Sequence, residues 1–162
     1  MINLNQLLEI GGRHAEQVLI GLGQDLMPSW LLFDRKNHCD IVGTPFNSDA
    51  DKFFVEHKMR ALMRSKKTVC YSMVSEAWSA TAPPDWNPDE GLPQAERPSN
   101  RVDRREVVIA VACSATEAIG RQWFILRSPN GAVVELRFED DYGATGDCPL
   151  EGWMTNLLKP SN

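Results

Sequence analysis

Glu76, Asp103, Arg104 and Arg105 are the residues whose types and spacing come nearest to chemistry. A carboxylate desolvated beside a guanidinium can act as general acid or base, and arginine's planar fork clamps carboxylates and phosphates at two points. Three of the four fall in the densest charged window of the chain, 97-RPSNRVDRREVV-108, together with Arg97, Arg101 and Glu106. If residues 68–79 and 105–113 pair as neighbouring strands, Glu76 reaches Arg104, Arg105 or Glu106 at one end of a sheet. Such a cluster suits an anionic or phosphate-bearing small molecule, or a divalent ion. It also suits a plainer role, since opposite charges at strand ends form surface ion pairs worth roughly 0–1 kcal/mol and keep a sheet edge soluble. Pro84-Asp85 could open a nuclease site, but no acidic residue stands two before a lysine on the following strand.

Two tryptophans flank the same region. Trp78 ends the strand-like run 71-YSMVSEAWS-79, and Trp86 stands in 83-PPDWNPDEG-91. A tryptophan in a polar, proline-rich loop either folds back on its domain or anchors a partner. The loop at 79–104 holds five prolines and divides by sign, with Asp85, Asp89, Glu90 and Glu96 before Arg97, Arg101, Arg104 and Arg105. A surface so divided can meet itself across a two-fold axis. Loops longer than about 12–15 residues inside a domain usually serve a function or stay unstructured.

Missing motifs narrow the field further. The chain has no phosphate loop, dinucleotide-binding glycine turn, serine-hydrolase elbow, HExxH pair or EF-hand loop. His14, His38 and His57 are isolated, and Cys39, Cys70, Cys113 and Cys148 show neither CxxC nor zinc-finger spacing. The expectation is therefore no cofactor, no metal and reduced structural thiols. The acidic tract 139-EDD-141 with Asp147 reads as a solvated turn, because it lacks the ligand spacing of a calcium loop. A net charge of −5 disfavours nucleic acid, although Lys58, Arg60, Arg64, Lys66 and Lys67 make one basic run. No 18-residue apolar stretch and no secretion-type leader stand out, which points to a cytoplasmic chain without a membrane segment.

The elements that must position these residues follow from periodicity. Leu4, Leu8, Ala15, Val18, Leu19 and Leu22 predict a helix over 3–24, loosened at Gly11-Gly12. A hairpin follows at 30–34 and 38–43. Ser48 caps a second helix over 49–65, whose apolar stripe reads Ala50, Phe53, Phe54, His57 and Ala61, making His57 a core histidine. Strands over 68–79, 105–113, 121–127 and 132–139 come next, the last two joined by the tight turn 128-SPNG-131. A short amphipathic helix at 149–159 packs on its own domain.

This is an α+β chain: one domain over 1–162, with a mostly antiparallel sheet of about six strands, two main helices on one face and a short C-terminal helix. The order of elements resembles that of profilin-like, longin and roadblock domains, a likeness of fold that carries no function. The functional expectation is a non-enzymatic protein-binding or assembly module, homo-oligomeric, meeting a protein partner or itself through 76–106. The alternative is a small enzyme or ligand-binding protein for an anionic molecule.

Overall fold

Apolar residues on both faces of the central strands demand cover on both sides, and the computed structural model of the chain supplies it with one helix on each. The structure describes residues 2–46, 48–81, 97–142, 155, 157 and 158. Helix α1 is Leu4–Glu16, continued by a π-helical turn at Gln17–Gly21, and α2 is Asp49–Lys66. The strands are β1 Ser29–Phe33, β2 Cys39–Gly43, β3 Cys70–Ser79, β4 Arg105–Ser114, β5 Ala118–Arg127 and β6 Val133–Tyr142. They form one six-stranded sheet in the order β2-β1-β3-β4-β5-β6, antiparallel throughout.

The two helices lie on opposite faces, which corrects the expectation of a single helical face. Leu31, Phe33, Cys70, Val74, Val108, Ala110 and Ala112 share a core with Leu7, Leu8 and Ala15 of α1. Trp30, Leu32, Tyr71, Met73, Val111 and Cys113 share another with Val55, Met59 and Met63 of α2. Successive residues of β1, β3 and β4 alternate between these cores, as the pleat requires. The doubly apolar run 105-REVVIAVAC-113 already carried the sign of this arrangement.

Local signals account for the helix ends. Asn3 and Gln6 form a reciprocal capping box at 2.9 Å in both directions. Ser48 Oγ accepts the Asp51 amide at 3.1 Å. At the far end of α2, Lys67 adopts a left-handed conformation with φ 54°, and its N–H and that of Thr68 return to the last carbonyls. Gly11 and Gly12 do not loosen α1; they let it approach the sheet. A Cβ on Gly11 would stand 2.8 Å from Val74 Cγ2, and one on Gly12 would stand 2.7 Å from Trp123 Cζ2. The departure from α-geometry comes later, at Gln17–Gly21.

The apolar stripe predicted for α2 is turned the other way. Val55, Met59 and Met63 face the sheet, while Ala50, Phe53, Phe54, His57 and Ala61 are exposed. His57 is therefore a surface residue, and His14 of α1 is the histidine whose Nε2 is buried. Of the predicted C-terminal helix, only Thr155, Leu157 and Leu158 fall within the described residues. Leu157 enters the α2-side core, where its carbonyl accepts Arg60 at 3.1 Å and its N–H points to Tyr71 Oη at 3.5 Å. The tract 139–141 ends β6 as an exposed edge, while Asp147 lies outside the described residues.

Candidate functional site

The antiparallel register of β3 and β4 sets Glu76 opposite Val108 and Trp78 opposite Glu106. Even-numbered residues of both strands share the α1 face, so Glu76, Trp78 and Glu106 rise from the same side of one sheet end. Each then meets a partner of its own. Glu76 Oε1 accepts the Leu26 amide at 2.6 Å, tying the segment before β1 to the sheet. Glu106 receives Arg127 Nε at 2.5 Å from the end of β5. That hydrogen bond, with the nearby charges of Glu106, Glu76 and Asp25, raises the Arg127 pKa above its usual value. Trp78 is 40% exposed, and the guanidinium carbon of Arg104 stands 4.3 Å from its ring centroid. Arg104 also donates to the carbonyl of Ser99 in the short 3-10 turn Pro98–Asn100.

The predicted clamp is divided by the pleat. Arg105 is on the opposite face, where its guanidinium lies 5.1 Å from the Phe124 ring centroid. Beside it Gln122 donates to Ser79 at 3.3 Å and to Glu139. Asp103 is exposed in the approach to β4, gripped by both arms of Arg101 at 2.6 and 2.7 Å. That pairing holds its carboxyl below the usual carboxylate range. Arg97 is exposed and precedes the 3-10 turn. Trp86 and the rest of 82–96 lie outside the described residues.

Of the residues named from sequence, Glu76, Trp78, Arg104 and Glu106 therefore converge on the α1 face, while Asp103 with Arg101, Arg105 and Arg97 do not join them. The convergent set offers one half-exposed aromatic ring, one guanidinium stacked on it and one ion pair beside it. This is surface chemistry suited to recognition. Glu76 already accepts a backbone amide, and Asp103 already holds Arg101, so both acids are engaged in holding structure. A shallow open cleft of about 580 Å³, lined by Ile2, Gln6, Glu9, Ile10, Arg13, Phe33 and Asn37, lies at the other end of the sheet.

Arg127 completes the site and was missed in the sequence. The tight turn after it could have found it: once β4, β5 and β6 are read as a meander, the end of β5 returns to the start of β4. Arg121 was missed for the same reason. It binds Glu9 of α1 and Asp141 of β6, the latter at 2.5 Å, and so pins the helix to the sheet. Burial raises the pKa of the Cys70 thiol, and burial followed by the charge of Asp40 raises that of Cys39. Among the described residues no three His, Cys, Asp or Glu side chains gather as a metal would need, and no helix is long and apolar enough to cross a membrane. No family model matches the chain, and searches of curated proteins and of solved structures return no match either.

Proposed function

We propose that this chain is a protein-binding or assembly module without a catalytic role, meeting a partner protein through the sheet end at 76–106. The observation that carries this reading is Trp78, 40% exposed beneath the Arg104 guanidinium at 4.3 Å. Tryptophan and arginine are the side chains that most often dominate binding energy at protein interfaces, and here each holds the other in a fixed geometry. The adjacent Glu106–Arg127 pair supplies a charged rim. Buried thiols at Cys70 and Cys113, neither joined in a disulfide, fit a reducing, cytoplasmic setting.

The test compares the intact chain with a Trp78→Ala/Arg104→Ala variant as bait in the native host's lysate, with thermal unfolding as the control for folding. Proteins held by the intact chain and lost by an equally stable variant support the reading. The same proteins recovered by both baits would sink it. The rival role in binding an anionic molecule gains no specific observation, because Arg101, Arg104, Arg105 and Arg127 each stand against a partner within the chain.

A further inference from the structure

We propose that α2 docks antiparallel against the α2 of a second copy of this chain, with Phe54 at the two-fold axis. This surface is separate from the sheet end discussed above, and the proposal does not depend on it.

The helix satisfies the sheet with Val55, Met59 and Met63, one residue per turn. Half a turn away, Phe53 is 70% exposed and Phe54 is 65% exposed, in edge-to-face contact with centroids 6.4 Å apart. Ala50, His57 and Ala61 extend the same outer stripe. Phenylalanine is a mediocre helix former, so local propensity does not select two adjacent ones on a water-facing surface. Contiguous exposed apolar surface of this kind marks a contact.

The flanking charges indicate what covers it. Asp51 precedes Phe54 by three residues and Lys58 follows it by four, and both lie on the same flank of the stripe. A two-fold rotation that reverses the helix sets Lys58 of each copy opposite Asp51 of the other, with Phe54 facing Phe54 between them. The two helix dipoles then run in opposite senses. Parallel packing would lay the basic run from Lys58 to Lys67 on its own equivalent, and an axis moved to His57 would bring Lys58 beside Lys58. An isologous contact requires a patch that matches itself on reversal, and this one does. A different protein would place no such demand on the sequence. The helix has 18 residues and is about 27 Å long, so one face of it buries less than the roughly 800 Å² per partner of a standard interface. A contact of that size stands at the small end of specific interfaces.

The test is sedimentation equilibrium from low micromolar to near-millimolar concentration. The intact chain should pass from monomer to dimer mass. Phe54→Asp and Lys58→Asp should each remain monomeric with unchanged thermal unfolding, and mixing Lys58→Asp with Asp51→Lys should restore dimer mass in the mixture alone. Asp51 has contacts within its own chain. If that variant fails to fold, Phe54→Cys in a Cys39→Ser/Cys148→Ser background provides the second test, since cysteines at the axis should cross-link into a covalent dimer on mild oxidation. The proposal is overturned by a monomer at every concentration, by a dimer that survives Phe54→Asp, or by a dimer lost on Trp78→Ala and kept on Phe54→Asp.

Discussion

The two main helices meet the sheet in different ways. Beneath the middle of α1 the strands present the small residues Ser72 and Ala110, and the helix answers with Gly11, so that backbone and sheet approach closely there. Under α2 they present Trp30, Tyr71 and Met73, with Trp30 and Tyr71 centroids 5.8 Å apart. That bulk keeps the helix at a distance, and the long, flexible side chains of Met59 and Met63 reach across to it. Hydrophobic period locates an apolar stripe, but where a helix carries two, the relief of the opposing surface decides which one goes inside.

The sharpest way to break this comparison is Met59→Ala. Met59 is fully buried against the aromatic face, so its truncation should cost about 2–5 kcal/mol in denaturant unfolding. Phe53→Ala, nearly as large a truncation, should cost less than about 0.5 kcal/mol. Equal costs would mean that α2 is seated the other way round.

Next in size is Gly11→Ala. Alanine gains about 1 kcal/mol of helix propensity. Its methyl group would stand 2.8 Å from a branched, buried valine, and overpacking of that kind costs about 1–3 kcal/mol. A net loss near 1 kcal/mol is expected, and a gain would show that α1 sits further from the sheet.

The smallest effect comes from His14. Burial lowers the His14 pKa, and its Nε2 has no hydrogen-bond partner, whereas His57 is exposed. The folded state therefore binds fewer protons at His14 than the unfolded state. Stability from this site is complete above the unfolded pKa, near 6.5, and is lost as pH falls through that value towards the lower folded pKa. As pH falls below the unfolded value the chain should lose stability, and His14→Gln should flatten that part of the profile. A profile insensitive to His14→Gln would refute the assignment.

The strands were legible in the sequence because their signals are local. Asn130-Gly131 turns β5 into β6, with Gly131 at φ 87°, and the two-residue period of β3 survives along its length. The α1 cap is equally local, in Asn3 and Gln6. What could not be read depends on distant surfaces: which stripe of α2 goes inside, and which face each helix takes. The site divides along the same line. That Glu76, Trp78 and Glu106 share a face follows from alternation, and the separation of Arg104 from Arg105 follows from it too. That Glu76 is held by the Leu26 amide, from 50 residues away, depends on where the chain re-enters the sheet and has no local signature.

The strand order has a consequence for how the molecule assembles in time. From β4 to β6 every strand pairs with its successor across a short turn, so these contacts close short loops and need little ordering before they form, whereas β3 must reach β4 across residues 80–104. The β1–β3 pairing must close over the whole of β2 and α2, and α1 bridges β3 and β4 from still further away. The meander is the part fit to act as a folding nucleus, while the N-terminal third arrives on a sheet already laid down. Substitutions in β4 should then slow refolding, and those in α1 should chiefly hasten unfolding.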